Sequence, residues 1–124
     1  MEHLARKLVS LWLGSQPMYN TSAPETAVCP YIVFSISLSR GRTFTEKLSN
    51  ALIRFNVYSS QSSSREVYDV LKALGDTYDE TDITIMGYDG EASLIKENEN
   101  VLKEPDTNNW LGTQLYRVEL EKSK

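Results

Sequence analysis

The 124-residue sequence contains only one cysteine, Cys29, and only one histidine, His3. A single cysteine excludes a disulfide within the chain, and this inventory excludes zinc sites built from several Cys or His ligands. His3 falls in the first turn of a predicted helix, a poor platform for a base that must be held against a thiol nucleophile. Glycine-rich phosphate loops of the GxGxxG or Walker type are also missing. The sequence therefore predicts no catalytic, cofactor-binding or metal-binding residues.

Long apolar runs and an excess of positive charge are missing as well. The apolar stretch from Leu8 to Leu13 is interrupted by Ser10 and is too short to cross a bilayer, and no secretory cleavage pattern follows it. We therefore expect a soluble protein that is made inside the cell and has no membrane partner. Thirteen Lys and Arg residues against 17 Asp and Glu residues give a net charge of −4. Proteins that bind nucleic acid by neutralising phosphates are normally basic, so general nucleic-acid binding is disfavoured.

The composition that remains is typical of a globular protein. Hydrophobic residues make up 40% of the chain and charged residues 24%, which indicates neither disorder nor a fibrous repeat. The length fits one compact domain over residues 1–124.

Hydrophobic spacing predicts two helices. In the first, over residues 2–13, one face carries Leu4, Leu8, Leu11 and Trp12. In the second, Ser63 and Glu66 have the spacing of a capping box, and Gly75 is placed to end the helix. Its apolar stripe consists of Val67, Val70, Leu71 and Leu74.

A period of two predicts strands over residues 31–39, 51–58 and 111–121. We also expect a short strand over residues 83–86, after an acidic turn, and another near Tyr19 in the long connection that follows the first helix. Residues 92–104 fit either a helix or an exposed edge strand. The order of elements predicts an α+β fold: an antiparallel sheet of four to five strands with two helices packed on one face.

The segment between the first two long strands, residues 40–50, is too long for a tight turn. It is either an extended two-stranded arm or a functional loop. Two guanidinium groups and an aromatic ring at a loop tip are typical of a contact surface for a protein or a backbone phosphate; a solvated hairpin end is the alternative. The candidate interface residues are Arg40, Arg42, Phe44, Glu46 and Lys47.

An acidic turn follows the second helix and supports a different class of function. Its carboxylates (Asp76, Asp79, Glu80 and Asp82, with Asp89 and Glu91 beyond) could bind Ca²⁺ or Mg²⁺ in a small metal-dependent hydrolase. Their spacing does not match an EF-hand, however, and carboxylates at such a place usually form caps and turns. A regulatory domain with a ligand pocket between helices and sheet is a third alternative.

The order of these patterns resembles the tail-terminator, or tail-completion, proteins of long-tailed bacteriophages and prophages. The resemblance runs from about Tyr19 to Glu121. It rests on a loop with Tyr19 and Pro24, on the segments PYIVF at 30–34 and ALIRFNVYSS at 51–60, on the helix that follows, and on LYRV at 115–118.

The resemblance implies a small α+β protein that forms a homohexameric ring on the completed tail tube. Such a ring ends tube polymerisation, docks to the head connector and lets DNA pass without binding it specifically. It lies at the head-proximal end of the virion tail, after assembly in the host cytoplasm. Its partners are further copies of itself, the tail-tube protein and the head-connector protein, and the family has no catalytic residue to carry over. Another head–tail connector, neck or minor tail protein is the nearest alternative.

Overall fold

A computed structural model of the chain describes residues 2–12, 14, 16–24, 29–40, 48–60, 63–84, 88–89, 91–105 and 109–122. Its two helices are α1 (Glu2–Leu11) and α2 (Arg65–Tyr78). The strands are β1 (Met18–Asn20), β2 (Tyr31–Arg40), β3 (Leu48–Ser59), β4 (Thr81–Thr84), β5 (Tyr88–Asp89), β6 (Glu91–Lys103) and β7 (Trp110–Lys122).

The strands form one seven-stranded sheet in the order β1-β2-β3-β7-β6-β4, and β5 pairs with the end of β7. The α+β class is confirmed, but the predicted count of four to five strands is wrong. Strand β1 is the short strand expected near Tyr19. Strand β5 was not predicted, because its two residues are too few to show a period of two. The sheet is also not purely antiparallel, because β1 pairs with β2 in parallel.

The segment that fitted either a helix or a strand is the long strand β6, which pairs with β7. Leu94 is fully buried and Val101 packs against the same core. A separation of seven residues suits a helix, since side chains of a regular strand seven apart point to opposite faces. A β-bulge between Lys96 and Asn98 shifts the alternation by one residue. The bulge therefore explains why the sequence pattern was ambiguous.

Both helices pack on the same face of the sheet, as predicted. The four long strands supply a row of core side chains, including Ile32, Phe34, Ile53, Phe55, Val57 and Tyr116, which are all fully buried. Helix α1 adds Leu4, Ala5 and Leu8, and α2 adds Val67, Val70, Leu71, Leu74 and Tyr78. The predicted apolar stripes of both helices are thus confirmed.

Tyr78 connects the two helices. Its hydroxyl donates a hydrogen bond of 2.5 Å to the carbonyl oxygen of Leu8, and its ring stacks on Phe55 with centroids 4.8 Å apart. Carbonyl groups in the last turn of a helix lack partners within it. The N–H of Trp12 donates to Val9 rather than to Leu8, so the Tyr78 hydroxyl supplies the donor that α1 itself does not.

Gly112 permits close contact between α2 and the sheet. A Cβ atom at this position would lie 2.7 Å from a methyl carbon of Val67 and 2.9 Å from one of Leu71. Both distances are shorter than van der Waals contact, so a larger residue would force the side chains of Val67 and Leu71, or α2 itself, to shift.

The start of α2 differs from the prediction. The capping box is wrong: Ser64 is the N-cap and makes no side-chain cap bond. The Ser63 hydroxyl accepts from the N–H of Arg65, while the Glu66 carboxylate accepts a 2.6 Å bond from the hydroxyl of Ser59. Ser59 is fully buried, and a buried hydroxyl requires an acceptor, which Glu66 supplies.

The ends of three elements also differ from the prediction. Helix α2 continues past Gly75 to Tyr78, and α1 ends at Leu11. Strand β4 covers residues 81–84, so it begins two residues before the predicted start at residue 83. Within the ranges that are described, no helix combines the length and apolar character needed to span a membrane.

Candidate interaction surface

The face of the sheet opposite the helices is the main candidate site, and we call it the open face. Side chains alternate along a strand, so the neighbours of the core positions point to this side. They include Ser35 and Ser37 on β2, Leu52, Arg54, Asn56 and Tyr58 on β3, Ile95, Asn98, Asn100 and Leu102 on β6, and Leu111, Thr113, Leu115 and Arg117 on β7. Ser35 and Ser37 are both exposed. The described helices, α1 and α2, both lie on the other side.

The centre of the open face is a shallow depression of about 350 Å³. We call its polar lining the amide cluster: Arg54, Asn56, Asn98, Asn100 and Thr113. The hydroxyl of Thr113 donates a 3.0 Å hydrogen bond to the Asn56 side-chain oxygen. Most of these side chains are therefore neutral donors and acceptors that remain accessible to a partner.

A second group, the tyrosine cluster, lies at the β1 side of the open face and consists of Tyr19, Tyr31 and Tyr58. Tyr31 and Tyr58 are paired across β2 and β3, and their rings stack with centroids 5.0 Å apart. The rings of Tyr19 and Tyr31 pack edge to face, with centroids 6.2 Å apart. Burial raises the pKa of Tyr58, and the nearby charge of Glu104 raises it further. Half-buried tyrosines are common in protein–protein interfaces.

Exposed aliphatic side chains complete the open face. Leu52, Ile95 and Leu102 are 38%, 44% and 44% exposed, which is high for large aliphatic residues. Such side chains beside accessible polar groups are typical of a surface that another protein covers.

The charge on this face is low. The Arg117 guanidinium lies 2.9 Å from the carboxylate of Glu97, the residue within the β6 bulge. Among the described side chains, Arg54 forms no ion pair. One charge pair and one additional arginine give the face too little positive charge to bind phosphates in a row.

The structure brings together only the base of the predicted interface. Strands β2 and β3 remain paired as far as Arg40 and Ser49, which agrees with the two-stranded form of the arm. Arg42, Phe44, Glu46 and Lys47 lie outside the described residues, and so does the side chain of Arg40. The interface role of these five residues stays a prediction.

The acidic turn has structural partners. The Asp79 carboxylate accepts a 3.1 Å hydrogen bond from the backbone N–H of Lys96, and the Asp82 carboxylate accepts one from the Ser93 hydroxyl. Both bonds connect the turn and β4 to β6. Within the described part of the chain, no three His, Cys, Asp or Glu side chains are grouped to hold a metal ion. The side chains of Asp89 and Glu91 are not described.

The amide cluster on the open face and one buried polar residue on the helix side were missed from the sequence. The amide cluster draws on three strands, and only strand pairing brings them together. Gln114 is fully buried on the helix side and donates to the Leu71 carbonyl at 2.8 Å and to the Glu99 carboxylate at 2.6 Å. The sequence did contain a signal for Gln114. It lies two residues before Tyr116 and four before Val118, so alternation along the strand places this polar residue on the buried face.

Comparisons with known proteins are informative at the level of the fold. Neither the protein-family models nor the curated proteins match the sequence. Among solved structures, the fold is similar to that of a chain in the "virion of native gene transfer agent (GTA) particle". The TM-score is 0.66 at 13% sequence identity, over 92% of this chain and 84% of that chain. At this identity the likeness shows a shared fold.

Proposed function

We propose that the chain is a structural protein of a phage-like virion that acts through its surfaces rather than by catalysis. In this role, copies form a ring, with six subunits as the tail-terminator resemblance implies. The ring caps the tail tube at its head-proximal end, ends polymerisation and contributes to head–tail joining. The observation that carries the proposal is the shared fold with a virion chain over 92% of this chain.

The open face gives the proposal physical support. A ring requires two different patches of one subunit to fit each other, and a cap also needs surfaces for its neighbours along the tail. The tyrosine cluster, the amide cluster and the exposed aliphatic side chains supply contact area of the kind found in such interfaces.

The proposed partners are further copies of the chain, the tail-tube protein and the head-connector protein. DNA passes through the ring without specific binding. The net charge of −4 and the low charge of the open face agree with this passage, since a strongly basic lumen would retain phosphates.

The test mixes the chain with the tail-tube protein of the same virion. We expect native mass spectrometry to show ring masses, and electron microscopy to show tubes with added density at one end that no longer elongate. Tubes that elongate without limit beside a monomeric chain would refute the capping role. Association with filled heads rather than with tails that lack heads would instead assign the chain to the neck.

A pair of variants tests the predicted arm. We expect Arg40→Ala/Arg42→Ala to reduce capping while the melting temperature stays nearly unchanged, because we expect these arginine side chains to contribute to contacts with a partner rather than to the core. The matched control, Arg6→Ala/Arg65→Ala, removes two exposed arginines from the helices and should cap normally. Equal capping by both variants would show that the arm is not a contact.

A further inference from the structure

Both borders of the sheet are only partly covered. Strand β1 pairs with β2 over Ile32–Phe34, and β4 pairs with β6 over Glu91–Leu94. No described strand pairs with the rest of either border. We call residues 35–40 the β2 border and residues 98–103 the β6 border.

A backbone turn at Thr21 ends the pairing of β1 with β2, and residues 35–40 of β2 lie beyond this pairing. Thr21, directly after β1, has a φ of 71°, and its N–H donates to the carbonyl of Phe34 at 2.7 Å. The N–H of Ser22 then donates to Asn20, which turns the chain. A positive φ is unusual for a β-branched residue and persists only where the surrounding structure imposes it.

The β6 side has the same arrangement. Glu80, with a φ of 58°, precedes β4 and donates its N–H to Leu94 at 2.8 Å. The carboxylate of Asp79 then accepts from the N–H of Lys96, the last contact on this side before the bulge. The exposed lengths of both borders are thus set by fixed turns.

Hydrogen bonds within the sheet show which backbone groups point outward. The N–H of Glu104 donates to Asn109 in the turn to β7, so Asn98, Asn100 and Leu102 direct their backbone groups to β7. The alternate residues Glu99, Val101 and Lys103 face outward. The N–H of Glu99 donates to the side-chain oxygen of Asn98. The outward N–H groups that could donate to a second copy are therefore those of Val101 and Lys103.

The same argument applies to β2. The N–H of Ile32 donates to Pro17 and the carbonyl of Phe34 accepts from Thr21, both on the β1 side. Backbone groups alternate along a strand, so those of Ile36, Leu38 and Arg40 point outward on the β2 border.

Strand directions make the two borders suitable for each other. Three consecutive antiparallel pairings separate β2 from β6, so these strands run in opposite directions. Register carried across the sheet puts Ser35 level with Asn98, and the two borders extend in opposite directions from that level. A second copy would therefore place its β6 border antiparallel to the β2 border after a shift of about six residues, roughly 20 Å, along the strands. In a ring, such a shift requires strands that are inclined to the ring axis, as they are in barrels. Pairing of like borders would need a two-fold axis and would leave the other borders open.

Side-chain chemistry also fits. Ser35 and Ser37 lie on the open face and Ile36 on the helix side of β2; Asn98 and Asn100 lie on the open face and Val101 on the helix side of β6. A joined sheet would keep polar and aliphatic faces continuous. Uncharged edges such as residues 35–39 are the ones that pair with other chains.

We propose that the β2 border of one copy pairs, antiparallel, with the β6 border of the next, so that the sheet continues from copy to copy. This inference rests on the proposed function in one respect, since repetition of the contact would close the ring.

The test is amide hydrogen exchange at single-residue resolution, with labelling in the assembled ring or capped tube and in the dilute monomer. We expect the amides of Ile36, Leu38, Val101 and Lys103 to exchange at least about tenfold more slowly in the assembly, because they gain partners. The amides of Ser37 and Leu102 are already bonded within the sheet and serve as internal controls.

Variants give an independent measurement. Val101→Pro removes an outward N–H, and proline is tolerated on edge strands; we expect loss of assembly. Val101→Ala, which keeps the N–H, is the matched control and should assemble. Lys103→Pro repeats the test at a second outward amide if Val101→Pro does not fold.

The outcomes separate this inference from the function. Capped tubes whose border amides exchange as in the monomer would refute border pairing and leave the capping role intact. A dimer with protection confined to the β2 border would also refute it. A chain that stays monomeric while tubes elongate freely would overturn both.

Discussion

Replacement of Tyr78 by phenylalanine measures how the N-terminal helix is held to the rest of the protein. Tyr78→Phe keeps the ring that stacks on Phe55 but removes the hydroxyl that donates to the Leu8 carbonyl at 2.5 Å. The tyrosine is fully buried. The change therefore deletes one hydrogen bond and leaves the packing nearly as it was.

The magnitude follows from the carbonyl left behind. A buried polar group that loses its partner costs about 1–3 kcal/mol, and Leu8 has no replacement donor within α1 because the N–H of Trp12 is bonded to Val9. We expect a loss of about 1.5 kcal/mol in the free energy of unfolding. For a domain of this length, this corresponds to a melting temperature lower by roughly 6 °C.

The assay is thermal and urea unfolding followed by circular dichroism at neutral pH. Tyr68→Phe is the matched control, because Tyr68 lies on the same helix but is 52% exposed; its melting temperature should be unchanged. If Tyr78→Phe also melts within about 1 °C of the wild type, the hydroxyl does not hold α1 as the structure indicates.

Two further predictions concern the core. Gly112→Ala should destabilise the protein by about 1–3 kcal/mol through contact with α2, whereas Gly75→Ala, where the nearest atom to a new Cβ is 4.0 Å away, should stabilise α2 by up to about 1 kcal/mol; equal effects in urea unfolding would contradict this geometry. Burial raises the pKa of Tyr78 and Tyr116 above their ordinary value of 10.0. The contribution of these two tyrosines to the free energy of unfolding should therefore be constant below pH 10 and should fall above it. The reason is that their phenol groups lose protons at lower pH in the unfolded chain than in the folded protein. Melting temperatures between pH 8 and 11.5 test this, and Tyr78→Phe should show a shallower decline than the wild type.

Local patterns were sufficient for much of the fold. Alternation along β2, β3 and β7 and helical spacing in α1 and α2 follow from which side chains must be buried, and each is visible in one short window of sequence. The capping box failed because the partner that Glu66 selects, Ser59, lies before the helix and is buried only in the folded chain. The parallel pairing of β1 to β2 has no local signal either.

The candidate site was less predictable, because strand pairing creates it. Asn56 and Thr113 are 57 residues apart in the sequence and bonded in the structure. Residues 92–104 fitted an exposed edge strand as well as a helix, but nothing in that window indicated that Asn98 and Asn100 would lie beside Arg54. Residues of the arm were selected from the sequence by chemical type alone, and they stay an expectation.

The bulge at Glu97 has a consequence for how this strand tolerates changes in length. Lys96 is opposite Tyr116 and Asn98 is opposite Leu115. Deletion of Glu97 would therefore leave continuous pairing between β6 and β7, in which all remaining residues of β6 keep their partners on β7. The deletion would lose the ion pair with Arg117 and part of the local twist. A deletion elsewhere in the regular part of β6 would turn the residues beyond it to the opposite face. Relatives that differ by one residue in this region should therefore have the gap at this position.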